Sequence, residues 1–375
     1  MSSPEIQMIG GECLESDHGT VAANGSNAFV RLEPGIDNIV SQRDGKLHNS
    51  LRAKMALSHS GKDNDHLEET IDQHLLGTKY LSAGTKYRPV DFSSKAQYFT
   101  LDVITDIAFG KPFGNLAADE DLHHYIELME LGGNIAQEIF AERFDHERKE
   151  RRDMLRSFIR HGLTQREVDQ VVVLQVVAGF DTTAGVLRAT MLYIVSNPRV
   201  YSRIGSEIAT TLISTPVTDS EARRMPYLQA VIKEGLRIHP PAAGLRFREV
   251  PASGDTLSGY FVPEGTWVKH NLFGLMPDPN LWGGDAKVFR PERWLNAEPE
   301  QLRKMEANLN LVFSWGKWQC LGKNVAMTEL NKVFVELFRN FDFTVVDPQS
   351  LGNYNASIHI TSDFWMRITK REPRM

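Results

Sequence analysis

Cys320 stands in the stretch Phe313-Ser314-Trp315-Gly316-Lys317-Trp318-Gln319-Cys320-Leu321-Gly322, whose residue types and spacing specify chemistry. A phenylalanine, a glycine, the cysteine and a second glycine fall at the spacing of a loop that wraps a thiolate beneath a haem iron. Gly316 would let the loop turn tightly, and Gly322 would let the backbone run close to a flat macrocycle. Directly after the cysteine, Asn324 to Leu330 reads as helix. That places the sulfur at a helix N-terminus, where the dipole and open N–H groups favour thiolate over thiol. An anionic sulfur axial to iron pushes electron density toward oxygen and favours O–O cleavage. The competing reading is an ordinary buried thiol.

A second unusual stretch is Ala178-Gly179-Phe180-Asp181-Thr182-Thr183, inside an apolar helical run. Glycine and two threonines are locally unfavourable there, and a buried aspartate needs a partner or water. Such violations tend to mark functional positions. Glycine would thin the helix where a cofactor or substrate presses against it. A hydroxyl bonding back to a carbonyl would open a groove for water, and Asp181 and Thr182 would pass protons toward oxygen. The alternative is a kinked buried helix whose polar groups are all satisfied.

Two further segments carry charge without obvious chemistry. Glu234-Gly235-Leu236-Arg237 sets a carboxylate and a guanidinium three residues apart on one helix face. Phe289-Arg290-Pro291-Glu292-Arg293-Trp294 offers a second guanidinium between aromatics. A Glu234–Arg237–Arg293 cluster is expected to lock that helix to the segment leading into the cysteine loop, a structural role.

The elements that must position these residues read mainly as helix with a minor β-sheet. Residues 1 to 30 are polar and glycine-containing without periodicity, a poorly ordered lead-in; residues 31 to 375 form one α-rich domain. Helical patterning covers Gly45 to Met55, Lys95 to Phe109 and Leu122 to Leu131. Thr164-Gln165-Arg166-Glu167 has the form of a capping box opening a long helix that Asn197-Pro198 stops near Ser196. Met225-Pro226 opens the helix from Tyr227 to His239. Short strands between Arg246 and Met276 form a small sheet. A last helix, Leu321 to Phe338, precedes a terminal hairpin of Phe341 to Val346 with Ile358 to Thr369.

Composition narrows the class. The chain has 375 residues, 41% hydrophobic and 24% charged, with a net charge of −6. That mild acidic excess gives no reason to expect nucleic acid as a partner. Only Cys13 and Cys320 occur, so a disulfide framework is not expected and a reducing compartment is favoured. No secretory signal is visible. No stretch reads as long and apolar enough to cross a bilayer, because Val171 to Gly179 is short and continues into Asp181. The chain as written is therefore expected to be soluble, without a membrane anchor.

In family order, these four signatures make the chain resemble the cytochrome P-450 haem-thiolate monooxygenases, in particular the fungal group similar to pisatin demethylase. The resemblance covers Gly45 through Arg371 and implies the P-450 fold, a haem cofactor and insertion of one oxygen atom into an apolar small molecule. It further implies fungal secondary metabolism, O2, and electrons from an NADPH-dependent flavoprotein reductase. The family usually sits at the endoplasmic reticulum membrane, facing the cytosol. Carried over, Cys320 is the axial iron ligand with Phe313 packed by the sulfur, and Asp181 and Thr182 are the acid and hydroxyl of oxygen protonation. Ala178 and Gly179 mark where the helix faces haem, and Glu234, Arg237 and Arg293 are the structural triad. Arg248, Arg52 and His48 match positions that reach the haem propionates.

Trp318 stands where the wider family has arginine or histidine, so propionate binding is expected to lean on Arg248 and Arg52. Ala178, Ala242, Ala243, Leu245 and Ile358 are the pocket residues, small or aliphatic. Lys317, Lys323 and Lys332 would surround the cysteine face and offer a basic surface to an acidic reductase. Little sequence remains between Leu131 and Arg152, where the family carries helices that cap the pocket, so the chain reads as a truncated form. Two alternatives keep the same motifs: a catalytically impaired haem-binding remnant, and a haem-thiolate isomerase or dehydratase. The intact Asp181-Thr182 pair argues against the second.

Overall fold

The computed structural model describes residues 22–23, 37–61, 63, 66–77, 89–126, 153–244, 247–349, 351–355 and 358–371. Its principal helices, in chain order, are α1 (Gly45–His59), α2 (Leu67–Gly77), α3 (Phe92–Phe109), α4 (Met154–Arg160), α5 (Gln165–Val195), α6 (Pro198–Thr210), α7 (Pro226–Ile238), α8 (Glu292–Asn296), α9 (Pro299–Asn310) and α10 (Lys323–Asn340). The strands are β1 (Ala22–Ala23), β2 (Val90–Asp91), β3 (Arg248–Glu249), β4 (Asp255–Leu257), β5 (Tyr260–Val262), β6 (Trp267–Val268), β7 (Phe341–Val345), β8 (Gly352–Asn355), β9 (His359–Ser362) and β10 (Trp365–Lys370). The architecture is mainly α with small antiparallel sheets.

Local sequence signals explain the helix ends. The Thr164 hydroxyl accepts from the Glu167 amide at 3.4 Å while the Glu167 carboxylate accepts from the Thr164 amide at 2.7 Å. That reciprocal cap starts α5, which runs to the residue before Ser196. Pro226 occupies the first turn of α7, where no amide hydrogen is needed. Asp44 caps α1 by accepting from the Lys46 and Leu47 amides at 2.7 and 3.0 Å.

α5 is the core helix. Val176, Phe180, Ala184, Leu187, Met191 and Ile194 are all buried, each large side chain contributing about 1.5–3 kcal/mol on removal from water. α3 lies along it, with Thr100 donating to the Phe180 carbonyl at 2.8 Å. α6, α7 and α10 pack around the same helix. Contrary to the sequence expectation, α5 is long and apolar enough to span a bilayer by length and composition, although two thirds of its most apolar window (67%) is buried against the rest of the chain.

β10 pairs antiparallel with β7 as the hairpin expectation required, and also with β2, Trp365 lying opposite Asp91. Between β7 and β10 the chain makes a separate hairpin, β8 with β9; the sequence reading merged β9 and β10 into one strand and did not place β8. β3 lies between β1 and β6; thus Ala22–Ala23, inside the expected lead-in, form a strand. The rest of residues 1–30, Cys13 included, lies outside the described residues. So do Leu245 and the stretch 127–152; of the helix expected at 122–131, Leu122 to His124 are not helical, and only Tyr125 and Ile126 are seen as helix among the described residues.

Candidate functional site

The cysteine loop is folded by its own backbone. The Cys320 amide donates to the Phe313 carbonyl at 2.7 Å, closing the loop, while Trp318 and Gln319 amides donate to Trp315 and Gly316 carbonyls at 3.2 and 3.0 Å. Gly316 has φ +59°, the left-handed conformation that the tight turn requires. Gly322 is different. Its φ of −75° suits any residue, but a Cβ there would stand 3.8 Å from the Cys320 sulfur. Glycine at that position keeps the space beside the thiol clear. α10 begins at Lys323, so its N-terminus follows the exposed Cys320 side chain by a single turn.

Three side chains from two distant segments converge on this loop. Arg52, on α1, donates to the Gln319 carbonyl at 2.6 Å. His48, one turn earlier, is buried with its ring centroid 3.9 Å from that of Trp318. The Arg248 guanidinium, on β3, lies 4.9 Å from the Trp318 ring and donates to the Ser314 hydroxyl at 3.2 Å. His48 is thus no solvent-facing helix residue. Burial first, then the charges of Arg52, Lys317 and Arg248, hold its pKa down to about 4, so the ring is neutral at physiological pH. Arg52 and Lys323 both lie close enough to Cys320 to feel its charge, which favours their protonated forms against burial.

α5 contributes an open stripe. Ala178 is exposed in the middle of an otherwise buried helix, and Thr182, one turn on, donates to the Ala178 carbonyl at 2.8 Å. That back-bond shares a carbonyl with the helix ladder, as mid-helix threonines do. Gly179 does something other than the sequence suggested. A Cβ on it would meet the Ile104 side chain at 2.8 Å, so this glycine lets α3 approach α5 rather than making room for a cofactor. Asp181 is paired. Its Oδ1 accepts from Arg188 Nη2 at 3.1 Å and from Gln97 Nε2 at 3.4 Å.

The Glu234 cluster forms as expected and is larger than foreseen. Glu234 accepts from Arg237 Nη2 and Nε at 2.8 and 2.9 Å, from Arg293 Nε at 2.9 Å and from Trp294 Nε1 at 2.9 Å. Arg237 also donates to the Met276 and Ala286 carbonyls, both at 2.7 Å, and Arg293 to that of Trp282 at 2.6 Å. All three charged side chains are buried, and Asp285, 3.0 Å from Arg293 Nη1, adds the second carboxylate that balances the two guanidinium groups, the condition under which a buried ion network is tolerated.

Among the pocket residues, Ala242 and Ile358 face each other across an isolated antiparallel bridge, and both are partly exposed. Ala243 is packed into the core. Lys317 and Lys323 do flank the loop, over Trp318 and Phe313. Lys332 does not. It is buried on α10, donating to Glu68 at 2.8 Å and to the Val217 carbonyl at 2.6 Å and ion-paired with Asp72 at 2.9 Å, so it presents nothing to a partner. Arg188 escaped the sequence reading, although an isolated arginine in an apolar helix, two turns after Asp181, was its signal.

An exposed thiol on a loop cleared by Gly322, with Arg52 and Arg248 gathered beside it and an open stripe on α5, fits a flat anionic macrocycle bound through sulfur. The comparisons agree. Residues 122–358 match the sequence profile of the cytochrome P-450 family. Cytochrome P-450 monooxygenase ABA1 of Pyricularia oryzae is 38% identical over 91% of this chain and 77% of its own length. The aba1 monooxygenase of Botryotinia fuckeliana is 32% identical over the same shares, 91% and 77%. A pisatin demethylase of Fusarium vanettenii is 38% identical over 49% of this chain and 35% of its own. The chain belongs to the cytochrome P-450 family, and is a haem-dependent monooxygenase.

Proposed function

We propose that this protein oxidises an apolar small molecule in fungal secondary metabolism, using O2 and electrons from an NADPH-dependent flavoprotein reductase. The observation that carries the reading is the exposed Cys320 on a backbone-locked loop with Arg52, His48, Arg248 and Trp318 assembled against it. Bound haem supplies the redox chemistry, which no side chain here can provide. Cys320 Sγ would hold the haem iron as a thiolate, a form favoured by the α10 N-terminus and the nearby Arg52 and Lys323 cations. Phe313 and Gly316 shape the loop. Arg52 and Arg248 would meet the propionates as charge-assisted donors. Trp318, clamped between His48 and Arg248, replaces a charge with a flat apolar wall.

Asp181 and Thr182 move protons: the carboxyl carries one inward, and the hydroxyl at Oγ1 passes it to the oxygen-binding side. Ala178, Ala242 and Ile358 line the substrate space, and Ala243 and Leu245 belong to the same segment. Glu234, Arg237 and Arg293 hold the scaffold beneath the loop. The test is a carbon monoxide difference spectrum of the reduced holoprotein. A thiolate-ligated band is expected, and its persistence unchanged in Cys320→Ala would remove Cys320 from the role.

A further inference from the structure

The Arg188 side chain is fully buried (0% exposed), yet it is ionised under all ordinary conditions and so requires a counter-charge and directed acceptors. Both are present. Nη2 donates to Asp181 Oδ1 at 3.1 Å, and Nη1 donates to the Thr361 carbonyl at 2.9 Å. The two acceptors belong to different parts of the fold. Asp181 lies on α5, two turns before Arg188 on the same face; Thr361 lies on β9. The planar guanidinium fork fixes the angle between its two bonds, so the carboxylate and the strand are held in a set relation. Gln97 of α3 makes a second contact to Asp181 Oδ1, at 3.4 Å.

β9 is attached to the pocket segment at its other end. The His359 amide donates to the Pro241 carbonyl at 3.0 Å, and Ile358 bridges Ala242. A ligand pressing on Ile358 or Ala242 therefore presses on the strand whose Thr361 carbonyl holds Arg188. The charged and titratable groups facing this spot are few among the described residues. Asp181 is the acid, and His239, at the end of α7, feels the Arg188 charge. Burial, then His359 and Arg188, hold His239 down to about 4, so it stays neutral and does not compete for the carboxylate.

We infer that Arg188 is a positioning residue, which aims the Asp181 carboxylate and ties it to the β8–β9 hairpin, so that proton delivery depends on how that hairpin is seated. The inference rests on the proposed role of Asp181 in proton movement. Arg188 itself neither gives nor takes a proton, and touches no reacting atom.

The experiment compares the parent holoenzyme with Asp181→Asn, Arg188→Gln, Arg188→Lys and the Asp181→Asn/Arg188→Gln double variant. Two readouts are taken: reductase-driven NADPH oxidation in H2O and D2O without added substrate, and amide hydrogen exchange over residues 359–362. Asp181→Asn is expected to slow NADPH oxidation by about tenfold or more and to enlarge the solvent isotope effect. Arg188→Gln should match it, with the double variant no slower than either single change. Exchange over 359–362 should quicken about fivefold or more in Arg188→Gln, the loss of one net hydrogen bond. Arg188→Lys keeps the charge without the fork. It should restore part of the rate while the hairpin still exchanges fast, and it serves as the second variant should Arg188→Gln fail to take up haem. Parent-like rates in both Arg188 variants, beside a slow Asp181→Asn, overturn this inference alone. A parent-like Asp181→Asn overturns the proposed role of Asp181 and the coupling with it, whereas parent-like exchange over 359–362 overturns the tie to the hairpin.

Discussion

Arg52 Nη1 donates to the Gln319 carbonyl at 2.6 Å, joining α1 to the residue before Cys320 across 267 positions of sequence. The cysteine loop is thus held from outside as well as by its own turn. Arg52→Ala removes both this bond and a proposed propionate partner. It is expected to weaken hemin affinity about tenfold or more, the scale of a charge-assisted hydrogen bond. Hemin titration followed at the Soret band measures it; parent affinity would show that the loop stands without α1.

Glu234 pairs with two buried guanidinium groups at once, while Asp285, 3.0 Å from Arg293 Nη1, supplies the second negative charge. Glu234→Gln leaves Arg237 and Arg293 buried beside a neutral amide and should cost about 3–5 kcal/mol. Urea unfolding of the holoprotein reads this directly. A loss within about 0.5 kcal/mol, as for an ordinary surface change, would mean that the cluster is not what secures the segment before the loop.

Thr182 is only partly buried and bonds within its own helix, so Thr182→Ala should leave stability within about 1 kcal/mol of the parent. Its effect should fall on proton handling instead. Peroxide released per NADPH consumed is expected to rise about twofold or more. An unchanged ratio, with haem fully bound, would take Thr182 out of the relay.

Gly179→Ala separates two uses of that glycine. Alanine favours the helix by about 1 kcal/mol, but its methyl would collide with Ile104 and cost about 1–3 kcal/mol of overpacking. Net destabilisation with an unchanged haem spectrum is expected. A shifted spectrum in the stably folded variant would return Gly179 to the cofactor face.

Stability should peak near neutral pH. His48, His59 and His239 are each held down to about 4, by burial first. As pH falls from 6.5, the unfolded chain binds protons that the native state refuses. Stability then drops by up to about 1.4 kcal/mol per pH unit for each histidine. Burial pushes Glu329 the other way, up to about 8. Above pH 4.5 the unfolded chain has released a proton that the native state keeps, so this group lowers stability as pH rises toward 8. Three groups against one favour acid instability below 6.5, and Glu329 alone acts above it. Urea midpoints from pH 4 to 8 should pass through a maximum at about 6.5; a midpoint climbing steadily toward acid would contradict these environments.

What the sequence disclosed depended on distance along the chain. Thr164 and Glu167, or Met225 and Pro226, are neighbours, and their capping chemistry is local, so the helix starts at 165 and 226 were legible. The Glu234 cluster was legible because a three-residue spacing puts its first two members on one face. Arg188 to Thr361 and Lys332 to Glu68 were not, because each acceptor lies more than 100 residues away and nothing in the local pattern points to it. Gly179 was misread for the same reason: a glycine shows that something comes close, but not whether it is Ile104 or a ligand. β9 was fused with β10, and β8 passed over, because these short runs carry little alternation.

β10 pairs with β2, and the Phe92 amide donates to the Phe364 carbonyl at 2.9 Å. Residues near 90 thus wait for a partner synthesised some 270 positions later. During translation the outer flank of α3 leaves the ribosome unsealed, and contacts of such long sequence separation form slowly. Until the final strand arrives, the nascent polypeptide is an incomplete intermediate that chaperones would need to shield.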